Sequence, residues 1–155
     1  MENKVRILIE SGKTISTMES CTGGLLASTI TDYSGASEIF SGAFVTYSNS
    51  AKIAQNVAKE VIDAYGVYSV ETATAMARVC AAAYDVDIGI GITGSLGRKD
   101  PNNSDSEVGK VYYCISMDGT DTFAEINIPD ELTSRHEMKE YVVNEVLDKI
   151  VSLIN

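Results

Sequence analysis

Apolar residues recur along this chain at two spacings, one typical of amphipathic helices and the other of strands. A spacing of three to four residues predicts helices over residues 2–11, 22–32, a short segment from Asn49, 58–65, 70–84 and 135 to about 154. Alternating or continuously apolar runs predict strands over residues 13–18, 39–47, 87–93, 108–117 and 122–128. Because strands and helices interleave, we predict a three-layer α/β/α domain built on a sheet of about five strands.

Cap and turn residues support these boundaries. Ser69 is a favourable N-cap for the longest central helix, and Ser134 with Glu137 forms a capping box before the last one. Asp118-Gly119 predicts a hairpin between the last two strands, so the sheet should be mixed and not purely parallel.

Three elements carry stripes of residues that we expect to face the core. On the helix over 70–84 the stripe comprises Ala73, Met76, Ala77, Cys80 and Tyr84. On the last helix it comprises Val143, Leu147, Ile150 and Ile154. On the strand over 108–117 it comprises Val111, Tyr113, Ile115 and Met117.

Charge and composition narrow the function. The chain has 155 residues and a formal net charge of -10, which disfavours binding to nucleic acid or to anionic membranes. A small anionic substrate is still compatible with this charge, because a local pocket can oppose the global sign. Three scattered cysteines and one histidine predict neither a disulfide framework nor a metal site. We expect a cytoplasmic protein, since its first residues do not resemble a signal peptide.

Glu19-Ser20-Cys21-Thr22-Gly23-Gly24 stands between a predicted strand and a predicted helix. At such a junction backbone N–H groups and the helix dipole can stabilise an anion, and glycines allow a substrate to approach closely. Either Ser20 or Cys21 could act as a nucleophile there. An N-cap followed by an ordinary glycine turn explains the same residues without any chemistry.

Lys52 is a candidate general base. If Ser48 or Asn49 caps the helix that follows, Lys52 lies in its first turn, where the dipole disfavours the ammonium form. Tyr47 would lie beside it and could relay a proton. An exposed lysine after a strand-end tyrosine is the simpler alternative.

Two further segments could contact a ligand. Thr93-Gly94-Ser95-Leu96-Gly97 opens a long polar stretch over 94–107, and glycine-rich strand ends can cradle phosphate. Arg135 and His136 open the last helix, where anions bind favourably. A surface loop and a solvated helix turn explain these segments equally well.

Taken together, these blocks resemble the CinA C-terminal-domain family, the nicotinamide-nucleotide amidases. The similar segments are MESCTGG at 18–24, FVTYSNSAK at 44–52, YGVYSVETATAMA at 65–77, DIGIGITG at 87–94 and VGKVYYCI at 108–115. They occur in the family's order, and the resemblance implies a single CinA C-terminal-like domain over residues 1–155. It also implies hydrolysis of the carboxamide of nicotinamide mononucleotide to nicotinic acid mononucleotide and ammonia.

The resemblance assigns roles to particular residues. It implies that Ser20 is the nucleophile, that Lys52 is its base, and that Tyr47 assists proton transfer. Main-chain amides near Ser20 to Thr22 would stabilise the oxyanion. The substrate-binding residues that it implies are Thr22, Gly23, Gly24, Thr93, Gly94, Gly97 and Arg135. It also implies a small-molecule nucleotide as substrate and no metal or organic cofactor, and it suggests a homodimer or higher homo-oligomer.

One segment departs from the family. Where the family usually reads TGIAGPxGG followed by a lysine-proline pair, this chain reads TGSLGRKDPNNSDSEVGKVYY. The segment with the expected nucleophile matches the family pattern, whereas the expected substrate loop has a different sequence. Two alternatives therefore stand beside the amidase: a non-catalytic nucleotide-binding or protein-interaction module, and an amidase acting on another small amide.

Overall fold

The computed structural model describes residues 1–155 as a five-stranded mixed sheet with helices on both faces, which confirms the predicted α/β class. The strands are β1 (Ile15–Glu19), β2 (Phe40–Val45), β3 (Ile88–Ser95), β4 (Lys110–Met117) and β5 (Thr120–Asn127). The helices are α1 (Glu2–Ser11), α2 (Leu25–Thr31), α3 (Asn49–Ala54), α4 (Lys59–Tyr65), α5 (Val70–Tyr84) and α6 (Arg135–Ile154).

The strand order is β2-β1-β3-β4-β5, with β1, β2 and β3 parallel and the last two strands antiparallel to their neighbours. The chain leaves β1 through α2 towards β2 and then returns past β1, through α5, to β3. Because β2 and β3 pair with opposite sides of β1, the direction of the connections reverses at β1, and right-handed crossovers place α2 and α5 on opposite faces of the sheet. In open sheets of this kind, ligands bind beyond the carboxyl ends of the strands at such a reversal.

Apolar packing defines the layers. The larger core fills the space between the sheet and helices α1, α2 and α6, and it includes the predicted faces of β4 and α6 except for the half-buried Met117 and Ile154, which pack against it. The predicted stripe of α5 faces the other side of the sheet, where Tyr84 alone is only half-buried. The stripes predicted on α5 and α6 therefore face the core, as their helical periodicity indicated.

Two boundaries differ from the predictions for a definite reason. The helix predicted over 22–32 begins only at Leu25, because Gly23 and Gly24 take φ values of 61° and 94°, which no helix accommodates. The strand predicted to end at Thr93 continues through Ser95, because Gly94 and Ser95 pair with Val111 and Lys110 of β4. The polar loop consequently begins two residues later than the sequence indicated.

Candidate active site

A cavity of about 470 Å³ lies beyond the carboxyl ends of the parallel strands. It is lined by residues from the end of β1, from the segment between β2 and α3, from the end of β3 and the loop after it, and from the start of α6. Its volume lies within the range of small-molecule sites. Its position agrees with the place where the reversal of strand order puts a ligand.

Ser20 follows β1 directly, at the base of this cavity, and is 6% exposed. Its N–H continues the sheet by donating to the carbonyl of Ile92 at 3.0 Å. Its hydroxyl oxygen lies 3.2 Å from the Lys52 Nζ atom. A serine and an amine at this separation can share a proton, which is the arrangement that an activated nucleophile requires.

Lys52 is only 1% exposed; its side chain extends from α3 to Ser20 and does not itself line the cavity. The helix is capped by Ser48, whose hydroxyl accepts from the N–H of Ala51 at 3.0 Å, as one of the two predicted caps. The Nζ atom also donates to the carbonyl of Thr46 at 2.8 Å, and no carboxylate pairs with it.

Burial lowers the pKa of Lys52 to about 8. The sequence argument attributed such a shift to the helix dipole. The structure gives removal from water as the main cause, because an ammonium group without a carboxylate partner is poorly solvated in the interior. With this pKa, roughly a fifth of Lys52 is neutral at about pH 7.4, and half of it at about pH 8.

The turn after Ser20 is held by Glu19, a residue to which the sequence analysis assigned no role. Its fully buried carboxylate accepts from the hydroxyls of Thr17 and Thr22 at 3.1 and 2.7 Å. It also accepts from the N–H groups of Leu26 and Ala27 at 2.9 and 3.0 Å. Glu19 thus occupies the positive end of α2, so those helix amides are not available to a substrate anion.

Free amides nevertheless occur in the turn itself. Ser20 is excluded as a donor to an oxyanion, because its N–H is committed to the sheet. The N–H groups of Cys21 and Thr22 make no hydrogen bond to another residue. These two amides are therefore the candidate donors of an oxyanion hole. The sequence analysis expected the donors among the amides near Ser20 to Thr22, and the amide of Ser20 is no longer among them.

Cys21 also lines the cavity but is chemically unsuited to be the nucleophile. Burial raises the pKa of its thiol to about 12, and the negative charge of Glu19 adds to the effect. The histidine that a cysteine nucleophile would need is absent, since His136 is exposed, lies 3.4 Å from the Oε1 atom of Glu140 and does not line the cavity. The geometry favours Ser20 of the two candidates.

Tyr47 stands at the cavity with 65% of its surface exposed. Its hydroxyl accepts a hydrogen bond from the Arg135 guanidinium at 3.2 Å and makes none to Ser20 or Lys52. Tyr47 thus makes no hydrogen bond to the lysine amine, and its role in proton transfer stays a prediction.

The predicted substrate-binding residues divide into two groups. Gly94 and Arg135 line the cavity, and Gly97 lies against the Arg135 side chain. Four others do not line it: Thr22 donates to Glu19, Thr93 donates to the carbonyl of Val67, and Gly23 and Gly24 shape the turn. A substrate role for these four stays a prediction.

The rebuilt loop after β3 supplies much of the cavity wall. Its Asp100 carboxylate accepts from the Tyr68 hydroxyl at 2.7 Å, and its Asn103 amide accepts from the Asn49 side chain at 2.8 Å. The loop is therefore anchored to the segments before α5 and at the start of α3. Tyr68, Asp100 and Asn49 all line the cavity, and the sequence analysis singled out none of them as site residues.

Comparison with known proteins now identifies the family. The model of the CinA C-terminal domain matches residues 1–154. The chain belongs to the CinA C-terminal-domain family. The putative competence-damage inducible protein of Clostridium acetobutylicum is 39% identical over 145 residues, which are 93% of this chain and 34% of that protein. A CinA-like protein of Syntrophomonas wolfei is 44% identical over 113 residues, 72% of this chain and 27% of that protein.

This CinA domain thus spans about a third of the length of the curated relatives that it matches. Among solved structures, the competence/damage inducible protein CihA from Agrobacterium tumefaciens has a TM-score of 0.88 at 28% identity, and 99% of this chain and 95% of that chain are covered. A competence or damage-inducible protein from Enterobacter asburiae has a TM-score of 0.89 at 21% identity, covering 98% and 96%, and supports the fold alone.

Two whole-chain observations complete the description of this CinA domain. None of its helices combines the length and the apolar character that crossing a bilayer would demand. No group of three or more His, Cys, Asp and Glu side chains is arranged to hold a metal ion.

Proposed function

We propose that this CinA domain hydrolyses the carboxamide of nicotinamide mononucleotide, releasing ammonia and nicotinic acid mononucleotide. The proposal follows the activity that the family resemblance implies. The observation that carries it is the buried contact of 3.2 Å between Ser20 Oγ and Lys52 Nζ at the base of a cavity of suitable volume.

In the first step, neutral Lys52 accepts the proton of the Ser20 hydroxyl while Oγ attacks the carboxamide carbon. The bond from Nζ to the Thr46 carbonyl orients the amine, leaving its lone pair for the serine. As the tetrahedral intermediate collapses, the C–N bond breaks. The leaving nitrogen takes the proton from Lys52 and departs as ammonia, which leaves an ester on Ser20.

Water completes the cycle. Lys52 accepts a proton from the water that attacks the ester carbonyl, and it returns this proton to Ser20 Oγ as the acid product leaves. Of the two free amides, that of Cys21 belongs to a residue that lines the cavity, and it would donate to the oxyanion in both steps. Stabilisation of this kind is usually the largest single contribution in such sites.

Charge supports a phosphorylated substrate. The cavity is lined by three cationic side chains, Arg98, Lys99 and Arg135, and by only one acidic side chain, Asp100. This local excess of positive charge occurs in a chain that is strongly acidic as a whole. In this proposal Arg135 binds the phosphate. Tyr47, whose hydroxyl accepts a hydrogen bond from Arg135, helps to position the substrate. The proton is transferred between Ser20 and Lys52.

The deciding experiment measures ammonia release from nicotinamide mononucleotide by the wild-type chain and by Ser20→Ala. We expect the variant to lose on the order of 10³-fold or more in kcat, because the unit loses its nucleophile. Cys21→Ala is the matched comparison and should retain most of the activity. An inactive Cys21→Ala beside an active Ser20→Ala would overturn the serine mechanism.

The same assay separates the alternatives. Release of ammonia from other pyridine or purine amides, but not from the mononucleotide, would favour an amidase that uses the same mechanism on a different substrate. Calorimetric binding of the mononucleotide without any ammonia release would favour a non-catalytic module.

A further inference from the structure

One hydroxyl beside Ser20 and Lys52 has no hydrogen-bond partner. Thr46 is 1% exposed, and its Oγ1 atom is buried without donating or accepting a hydrogen bond. An unpaired buried hydroxyl destabilises a fold, and a valine of nearly the same shape would avoid that cost. Packing therefore does not explain the hydroxyl. Direct contact with a substrate does not explain it either, because Thr46 does not line the cavity.

Thr46 adjoins both members of the proposed catalytic pair. Its N–H donates to the Glu19 carbonyl at 2.9 Å, so it continues the pairing of β2 with β1 at the level of Ser20. The Glu19 side chain points towards α2, so strand alternation directs those of Ser20 and Thr46 to the opposite face. The Thr46 carbonyl accepts from Lys52 Nζ at 2.8 Å, and covalent geometry keeps a threonine hydroxyl within about 5 Å of its own carbonyl oxygen.

Lys52 has the complementary deficit. An ammonium group carries three N–H donors, whereas Nζ has only two partners, the Ser20 Oγ atom and the Thr46 carbonyl. The third N–H of the protonated form is therefore unpaired, which is costlier for a buried charge than for a neutral group. In the proposed reaction this charge forms just as Ser20 Oγ bonds to the carboxamide carbon. At that moment the Thr46 carbonyl is the one protein acceptor that Nζ retains.

We propose that the Thr46 hydroxyl accepts the third N–H of Lys52 whenever this amine carries the proton taken from Ser20, so that Thr46 is a positioning residue. This inference rests on the proposed function and adds a residue to it. The proton passes from Ser20 Oγ to Lys52 and on to the leaving nitrogen, and no covalent bond of Thr46 forms or breaks. Rotation about the threonine Cα–Cβ bond, or a small movement of Nζ, brings the two unpaired groups together.

The groups around Lys52 allow its ionisation to be followed separately. The Cys21 thiol, on the turn after β1, and the Asp100 carboxyl, on the loop after β3, act on its charge. Burial raises the pKa of Cys21 to about 12, and the hydrogen bond from Tyr68 foremost lowers the pKa of Asp100. Tyr47, on the segment before α3, makes no hydrogen bond to Nζ. Neither Cys21 nor Asp100 changes charge between about pH 6 and 10, so neither interferes with the titration of Lys52.

The test titrates Lys52 in the free protein by NMR of isotope-labelled lysine, with the signal assigned through its loss in Lys52→Met. Thr46→Val keeps the shape and removes the oxygen. We expect it to lower the pKa of Lys52 by about one unit, because the ammonium form loses an acceptor. Thr46→Ser keeps the oxygen and should retain the wild-type pKa. An unchanged pKa in Thr46→Val, or an equal decrease in Thr46→Ser, would overturn the proposal.

Kinetics add a readout that a purely structural defect would not produce. In Thr46→Val the rising limb of kcat/KM against pH should move about one unit lower, because the amine loses its proton earlier. The plateau should fall about fivefold, because the ammonium formed during the reaction is less stable. The two changes oppose each other below about pH 7, and only the loss remains above about pH 9. A loss of equal size at every pH would contradict the role of Thr46.

Ser16→Ala is the matched control. Ser16 is fully buried in β1, four residues before Ser20, and its hydroxyl also has no partner. This variant should leave the pKa of Lys52 unchanged, and a decrease equal to that in Thr46→Val would refute a specific contact. The titration requires no turnover. If the wild-type chain releases no ammonia, the amidase proposal fails, and the pKa of Lys52 in the Thr46 variants still tests this inference.

Discussion

At the scale of single residues, Lys52 is the group on which the proposed chemistry depends. An exposed lysine would be protonated at pH 7 and could not accept a proton from serine. Its burial to 1% exposure, with hydrogen bonds only to Ser20 and the Thr46 carbonyl, makes the neutral amine accessible. The same burial costs stability, because the ammonium form is poorly solvated.

The first prediction at this scale concerns the dependence of rate on pH. Because activity requires the neutral amine and the pKa of Lys52 lies at about 8, kcat/KM should rise nearly tenfold per pH unit up to pH 7. It should level off above pH 8 to 9. Steady-state rates between pH 6 and 10 check this, and a rate that is flat below pH 8 or still climbs at pH 10 would contradict it.

A second prediction concerns stability. The native state releases its Lys52 proton near pH 8, whereas the unfolded chain retains it up to about 10.5. The unfolded state therefore binds more protons between these values, and stability rises with pH across this window. Relative to Lys52→Met, the wild-type free energy of unfolding should increase by roughly 3 kcal/mol from pH 8 to 10.5, at about 1.36 kcal/mol per pKa unit. Urea denaturation of both proteins measures it, and parallel curves would refute it.

At the scale of elements, the turn between β1 and α2 depends on the Glu19 carboxylate. Its four hydrogen bonds join the end of the strand to the first turn of the helix across the segment that carries Ser20. The buried acid thus fixes the backbone next to Ser20, the proposed nucleophile, and takes the place of the anion that an open helix end would attract.

The packing of α5 on β3 requires glycines in the strand. A Cβ atom at Gly91 would lie against the Ala73 carbonyl and 2.7 Å from the Ala77 amide nitrogen, and one at Gly89 would meet the Ala77 carbonyl. The helix backbone therefore rests directly on the sheet.

Gly91→Ala should accordingly destabilise the protein by about 2–4 kcal/mol, because neither backbone can yield without losing packing. Gly97→Ala is the control. Its added Cβ would have no neighbour nearer than 3.7 Å, and its φ is not positive, so we expect a change below about 0.5 kcal/mol. Chemical denaturation of both variants compares them, and equal stability would contradict the close contact.

At the scale of the whole molecule, folding brings cationic side chains from separate segments of an acidic chain together at the cavity. Arg98 and Lys99 come from the loop after β3, and Arg135 comes from the first position of α6. The hydrogen bond between Arg135 and Tyr47 joins residues 88 positions apart at the cavity. A net charge of -10 is compatible with a cavity lined by three cationic side chains, because the field near the cavity is set by its nearest groups.

Arg135→Gln tests this assembly. The variant should raise KM for nicotinamide mononucleotide about tenfold, since a charge-assisted bond to phosphate is lost. It should leave KM for the corresponding nucleoside, which has no phosphate, unchanged. Arg6→Gln, which removes the same charge from α1, serves as the control. Equal effects on nucleotide and nucleoside would exclude Arg135 as the phosphate ligand.

The sequence by itself determined the elements and the fold class. Periodicity located the helices, and local cap chemistry at Ser69 and Ser134 fixed where two of them begin. These features depend on interactions between neighbours in the chain, so a sequence pattern reports them directly. The family motifs also predicted the pairing of Ser20 with Lys52 that the structure contains.

Only the tertiary structure decided the environment of each group. Burial, not the helix dipole, lowers the pKa of Lys52, and it raises that of Cys21. Tyr68, just before α5, contacts Asp100 across 32 positions, and Asp100 lies in the loop that departs from the family pattern. Desolvation and long-range contacts depend on segments brought together by the sheet, and no spacing along the chain encodes them.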